Sequence, residues 1–299
     1  MPSARMPAAL NGGIRVDRSL DQSYQVVLVL TLWITGLGLG MSFGPGQILQ
    51  TLRRGGLFAR ATALDVVIVP LLVWGLVQAF SVPDRYATGL LLVGVASAGP
   101  LGIKAAQLAG ADLPYAIALV VVLEAANAVA IPVWVALLMP PGVQVPMWPV
   151  VRTLLLLVLA PLAVGMVVRA RRPPTAAALA QWAAPLSTGG LLVVIAVVLA
   201  RYARIVVDAF AAVGPAALTA VLLALLLGWL FGGPALPTRA ATSLVTGVRA
   251  NGPALAIAQV SFPSLAAVSV AIVAFGMFSI LLPVLFAIAV GRTALTDAP

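Results

Sequence analysis

Two long apolar runs, 87–109 and 238–260, are interrupted by Ala98-Gly99-Pro100-Leu101-Gly102 and by Arg249-Ala250-Asn251-Gly252-Pro253, respectively. Proline removes a hydrogen bond from a helix, and adjacent glycine lets the backbone unwind. Each run therefore predicts a helix that is broken near its middle. An ordinary proline kink is the alternative interpretation.

The composition requires lipid as the solvent of this chain. Of its 299 residues, 62% are hydrophobic and only 8% are charged, whereas soluble domains carry about 25% charged residues. Cysteine and histidine are absent, which excludes disulfides, zinc sites of the usual ligand types and imidazole-dependent triads. The net charge of +9 comes from Lys and Arg scattered at the ends of apolar runs. This pattern indicates the flanks of membrane helices and no nucleic-acid partner.

Apolar stretches of about 20 residues, the length that crosses a bilayer, recur along the chain. They predict an all-α membrane protein of about nine spans: 23–43, 58–80, 87–109, 114–139, 148–169, 184–200, 215–235, 238–260 and 265–290. Four spans in 23–139 and five in 148–290 resemble an inverted repeat of five-helix units, with the first helix missing from the first unit. Residues 1–22 and 291–299 are predicted to be tails.

The two broken spans occupy comparable places in the two halves, and this favours a binding site. Backbone groups freed at membrane depth are tolerated only where protein or a watery cavity surrounds them. Paired breaks are typical of the central site of secondary transporters. The residues predicted to make the breaks are Gly99, Pro100, Gly252 and Pro253.

Arginine in the short loops predicts the orientation, because cytoplasmic loops are richer in basic residues. With nine spans, one side carries Arg53, Arg54, Arg60, Arg169, Arg171, Arg172, Arg239 and Arg292, and the other carries Arg85, Arg152, Arg201 and Arg204. The richer side should be cytoplasmic. We therefore expect an external N-terminus and a cytoplasmic C-terminus in a bacterial inner membrane.

Four ionisable residues lie well inside the predicted spans: Asp65, Lys104, Glu124 and Arg249. Each would cost about 2.5–3.5 kcal/mol at the centre of a membrane helix. Pairing of the two acids with the two bases inside the bundle is therefore expected. The alternative is that the basic side chains extend to the interface.

Gly36, Gly38 and Gly40 in the first span have the spacing of a dinucleotide-binding fingerprint. No strand precedes them, and the run lies in a predicted membrane helix. Close helix packing is therefore the prediction.

Several motifs together resemble the bile acid:sodium symporter family. Leu37-Gly38-Leu39-Gly40-Met41-Ser42-Phe43, then Arg53-Arg54 and Asp65-Val66-Val67-Ile68-Val69-Pro70, are similar to the opening of that family. Gly99-Pro100-Leu101-Gly102 is similar to its first crossover helix. Further matches are Leu108-Ala109-Gly110-Ala111-Asp112, Ile131-Pro132, Thr246-Gly247-Val248-Arg249-Ala250-Asn251 and Leu255-Ala256.

The resemblance implies a panel domain and a core domain, in which two discontinuous helices cross beside bound sodium ions. It also implies small organic anions as the transported partners. The sequence departs from the family at the sodium ligands. Asp65 replaces a glutamine, Glu124 replaces a hydroxyl ligand and Thr246 replaces a glutamate, whereas Asn251 is typical of the family.

Lys104 and Arg249 suggest how these departures are compensated. We hypothesise that the Lys104 ammonium replaces one sodium ion and is neutralised by Glu124, while Arg249 replaces the other sodium near Asp65. A buried cation can occupy a cluster of oxygen ligands if a carboxylate compensates it. No cofactor is then expected, and transport would be passive or driven by protons on Glu124 or Asp65. Arg249 is the candidate contact for a substrate carboxylate.

Three rival interpretations stay open. A conventional sodium symporter would coordinate Na⁺ through Asp65, Glu124, Asn251 and backbone carbonyls. An intramembrane aspartyl protease would use Asp65 with Asp112. A membrane sensor would keep the fold and signal through a partner.

Overall fold

Eleven helices form the part of the chain that the computed structural model describes, residues 18–42, 55–139, 145, 147–262 and 266–296, and no strand occurs there. In order they are α1 (Arg18–Ser42), α2 (Gly55–Ala79), α3 (Asp84–Val95), α4 (Pro100–Leu108), α5 (Leu113–Leu138), α6 (Met147–Arg171), α7 (Pro173–Arg201), α8 (Ala203–Phe231), α9 (Leu236–Gly247), α10 (Asn251–Ser261) and α11 (Ala266–Thr296). The predicted all-α membrane class is confirmed.

Seven of these helices are long and apolar enough to cross a membrane, and the pair α3–α4, bent by 64° at its break, makes an eighth candidate. The pair α9–α10 corresponds to the predicted span 238–260. It is not among the candidates, because α9 carries several polar residues, including Thr238, Arg239 and Thr242. The count of nine spans and the inverted repeat therefore stay predictions.

Two helices begin well before the predicted spans. α7 starts at Pro173 instead of 184, and α8 starts at Ala203 instead of 215, so that Pro185 and Pro215 lie inside helices. Membrane helices tolerate internal proline because neighbouring helices and local adjustments satisfy the freed carbonyl. At the chain ends, α1 begins at Arg18, within the predicted tail, and α11 continues to Thr296.

Proline also accompanies the irregular turns of α2 and α6. One π turn, Leu64–Ile68, lies just before Pro70, and the other, Leu155–Leu159, lies just before Pro161. Such a turn widens the helix and is frequent at functional sites. The first of these turns contains Asp65, whose side chain it directs into the bundle, where the residue is fully buried.

The helices pack in two groups. α1 lies against α6 and α7, whereas α3 packs on α11, α8 packs on α9 and α11, and α4 packs on α9. We call α1, α6 and α7 the panel group and call α2–α5 and α8–α11 the core group. The division into panel and core domains stays a prediction. Contacts between the groups run mainly from α6 to α5 and α10.

The glycines of α1 serve close packing, as predicted. A Cβ on Gly36 would lie 2.8 Å from Pro161 Cγ, and one on Gly38 would collide with Ala183 Cβ. A Cβ on Gly40 would collide with the Leu162 carbonyl oxygen. These glycines let α1 approach α6 and α7 and so hold the panel group together.

Candidate functional site

The two helix breaks meet at the centre of the core group. Residues 96–99 separate α3 from α4, and residues 248–250 separate α9 from α10. The Ala250 N–H donates to the Ala96 carbonyl at 3.2 Å. A Cβ on Gly99 would lie 3.1 Å from the Arg249 carbonyl oxygen, so glycine permits this approach. The predicted broken helices therefore contact each other through their unwound backbones.

The prolines stand at the beginnings of the second half-helices and not within the unwound segments. Gly99 caps α4, and Pro100 is its first residue. Gly252 and Pro253, which were predicted to break the second helix, instead belong to the first turn of α10. The first N–H groups of a helix have no intrahelical acceptor, so proline costs little there. The unwound segment is 248–250, and it contains Arg249.

Asp65 and Arg249 form the buried ion pair at this crossing. Arg249 Nη1 donates to Asp65 Oδ1 at 2.8 Å, and the two side chains are 1% and 0% exposed. Thr246 Oγ1 donates to the other carboxylate oxygen, Oδ2, at 2.8 Å. The predicted approach of Arg249 to Asp65 is therefore present, and Thr246 completes the cluster.

Arg249 also satisfies the end of α3. Its Nη2 donates to the Gly94 carbonyl at 2.6 Å, and its Nε approaches the Val93 carbonyl at 3.5 Å. The last carbonyls of a helix have no intrahelical donor and carry partial negative charge. A carboxylate and two helix-end carbonyls thus accept hydrogen bonds from one guanidinium group, and the Thr246 hydroxyl donates to the same carboxylate.

Asn127 on α5 binds the unwound backbone at the first break. The sequence interpretation missed this residue. Its Oδ1 accepts from the Ser97 N–H at 3.0 Å, and its Nδ2 donates to the Ser97 carbonyl at 2.8 Å. The Ser97 hydroxyl in turn donates to the backbone carbonyl of Asp65 at 3.2 Å. An asparagine inside an apolar span, three residues after Glu124, was the available signal.

Replacing Asn127 by leucine should destabilise the protein by about 3 kcal/mol, because it leaves a buried N–H and a buried carbonyl of Ser97 without partners. Thermal unfolding of the purified protein in detergent would measure this. Val129→Leu is the matched control, since Val129 is 70% exposed on the same helix. Equal melting temperatures for the two variants would contradict the role of Asn127.

Lys104 and Glu124 do not form the predicted ion pair. Both residues are described, but the Lys104 ammonium donates to Thr188 Oγ1 on α7 at 2.6 Å. Glu124 Oε2 faces Asn127 Nδ2 at 3.5 Å. The reason is geometric, because the exposed face of α4 directs Lys104 towards the panel group, while Glu124 is buried on α5. The predicted ion pair between Lys104 and Glu124 is therefore wrong, whereas the replacement of a sodium ion by Lys104 stays a prediction.

Asn251 lies at the start of α10 and is 7% exposed. Its Nδ2 donates to Ser279 Oγ on α11 at 3.3 Å. Its Oδ1 is buried and accepts no hydrogen bond from the described part of the chain. Of the six predicted site residues, Asp65, Thr246 and Arg249 come together, and Asn251 lies two residues from this cluster along the chain.

A cavity of about 350 Å³ lies beside the crossing, between the two helix groups. Arg249, Lys104, Glu124 and Asn251 line it. The panel side contributes residues of α1, α6 and α7, and the core side contributes the first turns of α4 and α10. The first turns of two helices thus border one space, and the positive ends of their dipoles favour an anion there.

The carboxylates do not form a protease dyad in the described part of the chain. Asp65 is held by Arg249 and Thr246, and Asp112 caps α5 by accepting from the Tyr115 N–H at 3.1 Å. Among the described residues, no group of three or more Asp and Glu side chains could hold a metal ion.

Comparison with known proteins gives the family. The profile of the sodium bile acid symporter family matches residues 27–209, which is more than half of the chain. No curated protein matches the chain. The match includes the first break, Lys104 and Glu124, and it ends before the second break. The protein is therefore an integral membrane protein of transporter type, and it belongs to the sodium bile acid symporter family.

Proposed function

We propose that this protein transports small organic anions by alternating access, with the guanidinium group of Arg249 in the place of a bound sodium ion. The observation that carries the proposal is the buried cluster in which Arg249 donates to the Asp65 carboxylate and to the Val93 and Gly94 carbonyls, while the Thr246 hydroxyl donates to the same carboxylate. Carboxylate and carbonyl oxygens are ligands that a hard cation prefers. A cation fixed to the chain cannot be carried across the membrane.

The arrangement of the helices supports alternating access. The cavity lies between the panel group and the core group, and it is bordered by the two breaks. Movement of one group against the other would expose such a cavity to each side in turn. The positive ends of α4 and α10 would favour an anionic substrate.

Uptake into proteoliposomes tests both parts of the proposal. The probes are radiolabelled pantoate, 2-oxoisovalerate and taurocholate, each offered with an inward gradient of NaCl or of choline chloride. We expect saturable uptake of at least one probe, at rates that agree within about twofold in the two salts. Protein-free liposomes are the control, and absence of uptake of all three probes would contradict the transport of organic anions.

Removal of Arg249 should create a site that binds Na⁺. In Arg249→Ala the oxygens around Asp65 lose their cation, so Na⁺ should raise the melting temperature relative to choline. The wild-type protein should show no such difference at constant ionic strength. A saturable rise for the wild-type protein with Na⁺, but not with K⁺, would mean that a sodium site survives.

A second candidate, sodium-coupled transport, is favoured by one observation. The buried Oδ1 of Asn251 has no hydrogen-bond donor in the described part of the chain, and an amide oxygen is a suitable ligand for Na⁺. If this candidate is correct, Asn251→Leu should abolish a Na⁺-dependent rise in melting temperature that the wild-type protein displays.

We propose the orientation of the chain in the membrane from the arginines near the ends of the helices. Arg169 and Arg171 end α6, Arg239 lies at the start of α9, and Arg292 lies near the end of α11. With nine spans these positions share one side, which we assign to the cytoplasm of a bacterial cell. Labelling of single cysteines introduced at these positions and in the opposite loops would decide the orientation.

A further inference from the structure

Three arginines lie close together where α6 ends and α7 begins, a segment that we call the α6–α7 corner (residues 169–173). Arg169 and Arg171 belong to the last turn of α6, and Arg172 is the single residue between the two helices. The Arg172 N–H still donates to the Val168 carbonyl at 2.8 Å, so Arg169 and Arg172 are neighbours one helical turn apart. The corner therefore concentrates three positive charges on a short stretch of backbone.

The protein supplies no counter-charge to these arginines in the part of the chain that the structure describes. Arg171 and Arg172 are exposed, and neither makes a hydrogen bond or an ion pair there. The Arg169 guanidinium makes one contact, from Nη1 to the Pro173 carbonyl at 3.4 Å. Along the chain, no Asp or Glu occurs in residues 125–207. The three cations therefore face the surroundings of the corner without a protein acid beside them.

Other arginines at helix ends differ from this cluster. Arg239 Nε donates to the Trp229 carbonyl at 3.1 Å, and its guanidinium carbon lies 5.0 Å from the centre of the Trp229 ring. Arg60 and Arg152 are exposed, but each has no second arginine within five residues along the chain. The corner thus differs from these positions in combining several arginines with a lack of internal partners.

From the corner, α7 continues as the most exposed of the seven described helices that could each span a membrane. Only 18% of its membrane-length segment is buried, against 39% or more in the other six. Leu179, Trp182, Leu186 and Val193 follow one another at intervals of three, four and seven residues, and each is about half exposed or more. This spacing places them on one side of the helix. They form an apolar strip, here called the α7 stripe, which begins about two turns after Arg172.

We propose that the α6–α7 corner binds the phosphate of an anionic phospholipid, whose acyl chains lie along the α7 stripe. Guanidinium groups bind phosphate oxygens through pairs of parallel hydrogen bonds. A basic cluster directly beside a membrane helix is the arrangement that attracts anionic headgroups. Both parts of the site belong to the panel group, so the lipid ties that group to its leaflet. The inference is independent of the proposed transport activity.

The test is the melting temperature of the purified full chain in an uncharged detergent, titrated with three probes at constant ionic strength. Dioleoylphosphatidylglycerol is the anionic lipid, and dioleoylphosphatidylcholine has the same acyl chains but no net charge. The third probe, sn-glycerol 3-phosphate, carries the phosphate without acyl chains. We expect a saturable rise with phosphatidylglycerol, because a ligand that binds the folded state stabilises it. The other two probes should leave the melting temperature unchanged at the same concentrations.

A pair of double variants tests the charges of the corner. Arg171→Gln combined with Arg172→Gln should weaken the binding of phosphatidylglycerol by about tenfold or more, because two of the three cations are lost. Both side chains are exposed, so the fold should tolerate the change. Arg60→Gln combined with Arg152→Gln removes two exposed arginines elsewhere and should bind the lipid within about twofold of wild type.

A pair of single variants tests the α7 stripe. Leu179→Ser should weaken the binding of phosphatidylglycerol by about threefold, because apolar contact with the acyl chains is lost. Leu226→Ser is the matched control on α8, since Leu226 is 50% exposed and Leu179 is 51% exposed. The control variant should bind the lipid as the wild type does.

Each other outcome overturns a defined part of the proposal. An equal rise with phosphatidylcholine, or unchanged binding in the double variant of Arg171 and Arg172, would overturn recognition by the corner. An equal rise with sn-glycerol 3-phosphate would mean a site for phosphate ions and not for a lipid. Native mass spectrometry should show phosphatidylglycerol bound to the wild-type chain. A lipid-free dimer that dissociates in Leu179→Ser would instead make the α7 stripe an interface between two copies and overturn the lipid assignment.

Discussion

Replacing Arg249 by methionine is expected to lower the free energy of unfolding by about 3–5 kcal/mol, because removal of one partner leaves the Asp65 carboxylate buried without compensation. The ion pair is 2.8 Å long, and both side chains are almost completely buried. The same substitution leaves the Gly94 carbonyl at the end of α3 without its donor. Chemical unfolding in mild detergent, followed by tryptophan fluorescence, would measure the loss.

A double-mutant cycle separates the pair from its surroundings. Asp65→Asn alone should cost a similar amount, since it leaves the guanidinium group without its counter-charge, and the double variant should cost less than the sum of the two. Arg60→Met and Asp84→Asn remove the same kinds of group at exposed positions and should change stability by less than about 0.5 kcal/mol. Strict additivity would argue against a direct interaction. Arg249→Lys, which keeps the charge but not the forked geometry, should fall between the wild type and Arg249→Met.

The charges within the spans show what the sequence could predict at this site. The cost of an isolated charge in lipid requires compensation, and this argument predicted only that the two acids pair with the two bases inside the bundle. The approach of Arg249 to Asp65 was a hypothesis drawn from the family resemblance, and the structure contains that ion pair. It could not choose partners, because pairing depends on the direction in which each helix turns its face. Lys104 reaches Thr188 across the cavity, and Glu124 lies beside Asn127. A one-residue change of helix phase rotates a side chain by about 100°, and apolar spans carry little information on phase.

The polar partners of the unwound backbone were harder to find than the breaks themselves. Glycine and proline mark a break directly, whereas an asparagine in an apolar span does not show which group it binds. The partner of Asn127 is Ser97, thirty residues away along the chain. Likewise, the sequence does not indicate that Thr188, within an apolar span, contacts Lys104. Local sequence therefore predicted the interrupted helices and the overall class, while the hydrogen-bond partners required the packing of distant helices.

The fixed charge at the crossing has a consequence for the transport cycle. In the proposed transport cycle, a bound sodium ion could leave its site after each turnover, whereas Arg249 would leave Asp65 only if the core group itself rearranged. The crossing should therefore behave as a permanent structural unit, held by the Ala250 to Ala96 backbone hydrogen bond and by the Arg249 contacts. On the proposed function, a substrate would then act at the boundary between the two groups, where the cavity lies.

The second large effect is expected in the panel group, at Gly40. A Cβ there would lie 2.8 Å from the Met166 backbone nitrogen and 3.0 Å from Gly165 Cα, and closer still to the Leu162 carbonyl oxygen. All three atoms are backbone, so no side chain can rotate away. Gly40→Leu should force α1 from α6 and cost about 3 kcal/mol or more, at or beyond the upper end of ordinary overpacking.

Gly75 provides the matched control for this substitution. It lies inside α2, and a Cβ there would meet nothing within 4 Å. Gly75→Leu should therefore be neutral or stabilise the helix by up to about 1 kcal/mol, because leucine has the higher helix propensity. Unfolding of both variants under the same detergent conditions makes the comparison. If Gly40→Leu and Gly75→Leu unfold with the same free energy, α1 does not approach α6 as closely as described. The shape of the cavity that these two helices border would then be wrong as well.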